Sequence, residues 1–420
     1  MKHLIHYILC IITLLPHTLP AIDNPHFYRA TNFFLEPRIE HTLFTSFDAT
    51  IGGGSTSTSR NNNHKTVPLF DIYGPHAIQP LGLDIPYPEN TFPYVDLLQK
   101  LAALPQRPNF GNISIDGTFS ITESNLSYTQ NLIKGLLLFL HIPIRKLSIR
   151  NIQFIDASPD DAIFPNKNTP EWHNVVEHLP LILKTYNLNA HSQTEIGCGD
   201  LSCYLGWTHN YQDTKTLDFI DGTLMIGFLA PTGKRKNENA LFSLPLGYNG
   251  HWGLPITGIA SLGMYEWITL GAYLNTIIFA DTIKTLPVKT NPLQSSLIKL
   301  TQADVSTHKG TIWHTGFYFK ADHFVYGLSF TTAYSYATEQ KTTLKPLSTT
   351  ISSEIINTDQ SLAGWNMHTV HFLAEYDFAK ENSSTGKRIG LFYNYQVGGK
   401  RIFTTNVGGG SLGLDIAWDI

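Results

Sequence analysis

The chain closes on SLGLDIAWDI, Ser411 to Ile420, and those residues alternate without interruption. Leu412, Leu414, Ile416, Trp418 and Ile420 are apolar, while Ser411, Gly413, Asp415, Ala417 and Asp419 between them are small or acidic. A period of two is the mark of a strand with one greasy and one wet face. An apolar face ending on Trp418 and Ile420, with two carboxylates opposite, suits a strand with lipid outside and water inside.

The other end of the chain agrees. Met1 to Ala21 reads as a secretory signal: Lys2 and His3, an apolar stretch from Leu4 to Leu15, then Leu19-Pro20-Ala21 as the cleavage site. The apolar stretch is about half of the ~20 residues a helical span needs, which argues against a retained anchor. The greasiest later segment, Leu132 to Ile144, is also short and carries Lys134 and His141. An exported chain with membrane-grade patterning and no helical span has one spanning solution left, a closed barrel.

Composition narrows the function classes. Charged residues make up 15% of the chain and aromatics 12%, against roughly 25% charged in an ordinary soluble domain. A net charge of −4 with no basic stripe beyond Lys234-Arg235-Lys236 does not point to a nucleic-acid partner, and none is expected. Gly227 to Lys234 does not fit a phosphate loop. His368 and His371 fall on opposite faces of a strand, so they do not share a metal. The expectation is a non-enzyme with no cofactor and no metal. Cys198 and Cys203, in GCGDLSC, either form a small loop disulfide or stay as two thiols.

Alternation recurs along the chain. Ile113, Ile115, Phe119 and Ile121 alternate with Ser114, Asp116, Thr118 and Ser120, and Trp313, Phe317 and Phe319 with His314, Tyr318 and Lys320. Val370 to Phe378 runs against Glu375 and Asp377, and Ile389 to Val397 repeats the pattern. Weaker runs lie near 43–55, 126–142, 147–155, 201–210, 217–229, 256–265, 267–280 and 282–289. Together they predict an all-β transmembrane antiparallel barrel of about 14 strands, within 12–16, over residues 41–420. Links alternate between tight ones, such as Ala321-Asp322-His323, and long ones, such as Glu339 to Leu362. The parity places His314, Tyr318, Lys320, Glu375, Asp377, Asp415 and Asp419 on the lumen side, with most other inward positions Ser, Thr, Gly, Asn or Tyr.

Two segments stand outside the pattern. The excursion at 157–196 holds an amphipathic helix capped by Thr169, with Pro170 in its first turn and Pro180 as a kink. Its stripe runs Trp172, Val175, Val176, Leu179, Ile182, Leu183 and Tyr186, either resting on the barrel rim or serving as a lid or lipid-surface element. Residues 22–40 carry Phe27, Tyr28, Phe33 and Phe34, which point to a hatch in the lumen where a greasy ligand is held, or alternatively to an N-terminal strand or periplasmic tail.

A leader, an aromatic N-terminal segment, about fourteen strands in some four hundred residues and a terminal β-signal resemble the FadL-type outer-membrane transporters of hydrophobic compounds. The stretch from Leu205 to Gly253, with LGWTHNYQD, LAPTGK and PLGYNGHWG, is also similar to the related barrels of aromatic-degradation pathways. The resemblance implies an outer-membrane channel for passive uptake of hydrophobic small molecules, closed by a hatch. Its partners would be outer-membrane lipid, a hydrophobic small-molecule ligand and the barrel-insertion machinery. The alternatives are a general porin for polar solutes and a structural or adhesive barrel.

The parity of the last strand is testable. Ile416→Arg, on the lipid side, should cost about 2–4 kcal/mol, and Ala417→Arg much less. Unfolding followed by the gel mobility of unboiled samples distinguishes them, and equal effects would contradict the parity.

Overall fold

In the computed structural model, which describes residues 43–82, 99, 111–132, 135–158, 170–212, 217–378 and 384–418, alternating segments pair into twelve antiparallel strands that close on themselves. In chain order they are β1 (Leu43–Thr56), β2 (Asn112–Asn131), β3 (Leu136–Asp156), β4 (Leu201–Tyr211), β5 (Phe219–Ala230) and β6 (Gly253–Met264), followed by β7 (Ile268–Phe279), β8 (Ile312–Val325), β9 (Leu328–Glu339), β10 (Asn366–Asp377), β11 (Thr385–Lys400) and β12 (Val407–Trp418). Each pairs with its neighbours in sequence, and β12 returns to β1 with Leu43 opposite Trp418 and Gly53 opposite Gly408. A two-residue strand, His76–Ala77, adds to β2, and Gln193–Cys198 adds to β3, both outside the ring.

The two ends differ. At the end that holds Leu43 and Trp418 the strands are joined by connections of only two to seven residues, 265–267 and 326–327 among them. The opposite end carries the connections 57–111, 157–200, 231–252, 280–311 and 340–365, with only 401–406 short. Outside, the wall is a belt of exposed apolar side chains, among them Phe47, Ile51, Leu126, Leu224, Ile226, Leu274, Phe317, Phe372, Leu391 and Leu412. Exposed aromatic side chains lie toward both edges of the belt: Trp207, Tyr211, Trp267 and Tyr376 near the short turns, Phe228 and Trp252 near the long loops.

Twelve strands fall within the 12–16 expected from alternation, two below the central count of fourteen. Residues 112–123, 126–142 and 147–155, read as three strands, fall in the two long strands β2 and β3, the first ending at Asn131 and the second starting at Leu136. The run at 282–289 is a strand, Thr282–Val288, but it pairs with Thr301–His308 in a separate sheet outside the ring. The difference has a physical cause: the greasy face changes sides partway along β2 and β3. Beside the short turns Leu126, Ile142 and Ile144 point outward, while Glu123, Asn125 and Arg145 point inward. One step further on, Ile121 and Leu147 are the buried inward residues, and Thr122 and Lys146 face out. Ile113, Ile115 and Phe119 are therefore fully buried inside, not on an outer face.

What they bury against is a cap built from the long loops. One apolar cluster joins Leu69, Phe70, Ile72, Ile78 and Leu81 of the first loop to the inner faces of β2 and β3, to the loop helices, and to Leu241, Phe242 and Leu246. The amphipathic segment forms two helices, α1 (Pro170–Glu177) and α2 (Leu179–Thr185), broken at His178 with Pro180 in the first turn of α2. Trp172, Val175, Leu179, Ile182 and Leu183 lie fully buried in this cluster, and the Tyr186 hydroxyl donates to Leu81 O. The stripe thus packs into the cap and presents no face to lipid. Asp200 anchors another loop by accepting from Gly233 N and Tyr248 N, and a Cβ on Gly247 would fall 2.3 Å from its carboxyl group. The glycines of LAPTGK and PLGYNGHWG are thus packing requirements.

Other expectations need correction. Ala321-Asp322-His323 is not a turn: β8 runs on to Val325 through an irregularity, and the chain reverses at Tyr326-Gly327. Cys198 and Cys203 are free thiols. They stand opposite Ile144 and Leu140 on β3, about 13 Å apart along the strand, beyond the ~7 Å that a disulfide spans. Gly199 and Asp200 interrupt the strand beside Pro143, which puts both thiols on the same outer side. The leader 1–21, the segment 22–40 with Phe27, Tyr28, Phe33 and Phe34, Thr169 and Asp419 lie outside the described residues.

The cap contains a buried titratable group. His76 Nε2 donates to Phe70 O (3.1 Å) while its Nδ1 meets Ser295 Oγ (2.7 Å), and burial lowers its pKa from 6.5 to about 4. The closed cap refuses a proton that an opened one takes, so this contribution is complete above pH 6.5 and is lost as pH falls toward 4. Asp71, raised by burial and 3.7 Å away, works in the opposite sense. Emission from the buried Trp172 should shift to the red as pH drops from 7 to 4.5, and shift less in His76→Asn. An equal shift in both would remove His76 from the account.

Candidate functional site in the barrel lumen

Inward parity brings the polar residues of the strands into the barrel, where they form layers from the short-turn mouth upward. The lowest is a vestibule of about 330 Å³. Asp48, Asp218, Asp221, Glu266, Asp322, Glu375, Asp377 and Asp415 line it, against Lys320 and Arg388 as fixed cations. The lumen was expected to hold few charges; this mouth is strongly acidic. Turns account for much of the difference, since Asp218 and Glu266 lie in links between strands and Asp322 in the β8 irregularity, where strand parity does not apply.

Arg388 organises the wall of the vestibule. Its guanidinium donates to Asp48 (2.9 Å) from β1, Glu375 (3.0 Å) from β10 and Asp415 (2.9 Å) from β12. Ser46 Oγ completes the set by donating to Asp415 at 2.7 Å. Gly413 makes the geometry possible, because a Cβ there would lie 2.9 Å from the guanidinium carbon. Opposite, Lys320 pairs with Asp322 at 3.1 Å, and His323 lies 2.9 Å from Asp322 and 3.6 Å from Asp377.

Above the vestibule the lumen is filled by buried neutral polar groups. Tyr273 OH contacts His314 Nε2 at 3.0 Å and bonds with Ser335, Ser335 Oγ meets His371 Nε2 at 2.7 Å, and His371 Nδ1 meets Asn394 Oδ1 at 2.7 Å. This chain crosses five strands, from β8 at His314 through β7, β9 and β10 to β11 at Asn394. His371 Nδ1 donates to the Asn394 amide oxygen. Tyr318 and Tyr273 fit because Gly271 and Gly316 stand opposite, where a Cβ would fall 2.2 Å from the Tyr318 ring and 2.6 Å from the Tyr273 hydroxyl. On the β2–β3 side Glu123 and Arg145 form a buried pair at 3.4 Å.

An apolar stretch of wall adjoins this layer, with Leu373 and Phe392 one inward step below His371 and Asn394 on β10 and β11, toward the vestibule. Leu373, Phe392 and Val407, inward on β10, β11 and β12, belong to the same cluster as the cap, and Leu373 also lines the vestibule. The fold thus places His314 and Tyr318 in the mid-lumen layer and Lys320, Glu375, Asp377 and Asp415 at the vestibule, and it joins Glu375 to Asp415 through Arg388. Arg388, Asp48, Tyr273, His371 and Asn394 were not foreseen. Arg388 lies one residue before the alternating run Ile389 to Val397 and shares its inward phase, so extending that run would have found it. Among the described residues, no group of three or more His, Cys, Asp and Glu has metal-binding geometry.

No protein-family model matches the chain, and no curated protein matches it in sequence. Among solved structures, the COG4313 outer membrane channel from Pseudomonas putida F1 is similar at 9% identity and a TM-score of 0.46, over 91% of this chain and 100% of that one. The translocator domain of autotransporter NalP from Neisseria meningitidis is similar at 7% identity and 0.37, over 93% and 92%. The Ralstonia pickettii toluene transporter TbuX is similar at 9% identity and 0.34, over 95% of each chain.

Removing the cation from the vestibule cluster leaves three carboxylates facing one another. Arg388→Leu should cost about 3–5 kcal/mol, as expected for a broken, largely buried ion pair. Adding Asp48→Asn and Glu375→Gln should return most of it, read as the unfolding midpoint in detergent. No loss in the single variant would mean that the cluster is structurally idle.

Proposed function

We propose that this chain is an outer-membrane channel that admits small hydrophobic molecules passively. The observation that carries the reading is the apolar cluster, which runs from the loop cap down the inner wall to Leu373 at the edge of the vestibule. A greasy solute is offered a surface along that wall that the polar remainder of the lumen does not give it. The belt of exposed apolar side chains and its flanking aromatics suit a hydrocarbon layer outside. The leader read at Met1 to Ala21 supports export, and a barrel of this kind reaches its membrane through the insertion machinery. No catalytic role is assigned to any residue.

The acidic vestibule favours a second reading, a porin for small cationic or polar solutes, since a ring of like charge concentrates its counter-ions.

Reconstitution in liposomes separates the two. The purified barrel should accelerate entry of a fatty acid or an aromatic hydrocarbon while leaving swelling in sugars slow. Rapid swelling in sugars or cationic solutes without hydrophobic uptake would establish the porin instead. Flux of neither kind would leave a structural or adhesive barrel.

A further inference from the structure

Where β10 meets β11 near the cap, the wall holds buried polar side chains whose hydrogen-bonding capacity is unused. Asn394 is fully buried with its Oδ1 engaged by His371, yet its Nδ2 has no partner. Thr369 and Gln396 are Cα partners across the two strands and more than nine-tenths buried. Neither the Thr369 hydroxyl nor either end of the Gln396 amide has a partner. Thr405, next to the Asn406 side chain that accepts from Gln396 N, adds a second such hydroxyl and a fourth such residue. Buried polar groups are nearly always satisfied, and a cluster of exceptions in one place calls for an explanation.

Two independent features mark the same place. The β10–β11 register slips between His368 and Thr369, so that Val397 is an extra residue in β11, and such bulges re-aim side chains. The apolar cluster lies alongside: Val407 is the Cα partner of Asn394, and Phe392 is the next inward residue of β11.

We propose that this stretch of inner wall is a binding subsite for a neutral amphiphile, an apolar chain or ring carrying one hydroxyl, carbonyl or amide group. The assignment rests on the channel reading above and gives it a substrate class. The Asn394 amide offers a donor, Gln396 offers both a donor and an acceptor, and Thr369 offers either, so one small head group is matched by several partners. None of these side chains is ionisable, and a charged head would enter a desolvated place with no counter-charge. The apolar body lies on Phe392 and Val407, within the cluster that joins them to the cap.

The test is calorimetric titration of the full-length barrel in detergent with 1-hexanol and with 1-chlorohexane, which has the same chain length and a head that donates no hydrogen bond. 1-Hexanol should bind saturably at one site, and about tenfold or more tighter than 1-chlorohexane. Thr369→Val combined with Gln396→Leu should weaken 1-hexanol by about tenfold, whereas Thr369→Ser should not. The gel mobility of unboiled samples reports that each variant is folded, and the comparison of two ligands on the unaltered protein needs no variant. Equal binding of both compounds, non-saturable binding, or an unchanged 1-hexanol affinity in the double variant would overturn the subsite, leaving ordered water as the partner of these groups. Binding without liposome flux would overturn the channel and keep the subsite. Flux without saturable binding would do the reverse.

Discussion

Everything in this molecule depends on the seam where the last strand meets the first. Until β12 pairs with β1, two edges of unsatisfied N–H and C=O groups are exposed, and in hydrocarbon that exposure is prohibitive. The seam is built from two glycine runs, Gly52-Gly53-Gly54 and Gly408-Gly409-Gly410, with Gly52 facing Gly409. A Cβ on Gly409 would lie 2.0 Å from Ile51 O, and one on Gly52 2.7 Å from the Phe392 ring. The missing side chains therefore let the backbones approach and also leave the volume that Phe392 occupies inside. Lower on the same seam, where Ser46 faces Asp415, Arg388 reaches across from β11 and ties both sides together.

The interior is ordered by the kind of interaction available at each height. At the short-turn mouth, where water enters, charges are paired or solvated. At mid-height, neutral groups satisfy one another in a relay from His314 to Asn394, which avoids placing bare charge far from water. Beneath the loops, contact between apolar side chains takes over, and the cap closes over it. Buried pairs such as Lys309 with Glu339, which also accepts from the Trp365 indole, fix the base of the loops where these regimes meet.

Much of this was legible in the residues, for a definite reason. Period-two alternation records which side chains leave the chain on each face, so nine of the alternating runs coincide with barrel strands and the inward phase of His314, Tyr318, Glu375 and Asp415 could be read directly. Turn residues have no such phase, which hid Asp218 and Glu266 from a reading of the lumen. The stripe of α1 and α2 was visible, but its partners were not. Contacts such as Tyr186 to Leu81 and Phe70 to Phe242 join segments more than a hundred residues apart, and nothing local in either announces the other. The unused amide of Gln396 was equally hidden, since a bulge is one residue of slippage between two strands that each alternate well.

The reversal of the greasy face along β2 and β3 amounts to a waterline drawn on the protein. It falls at one height on both strands, between the inward pair Glu123–Arg145 and the inward pair Ile121–Leu147, which are adjacent rungs of a single ladder. Below that line the chain treats its exterior as oil, and above it as water. From it, the upper parts of β2 and β3 extend by about nine residues, roughly 30 Å of strand at ~3.3 Å per residue before tilt. That length sets how far the cap stands clear of the apolar belt.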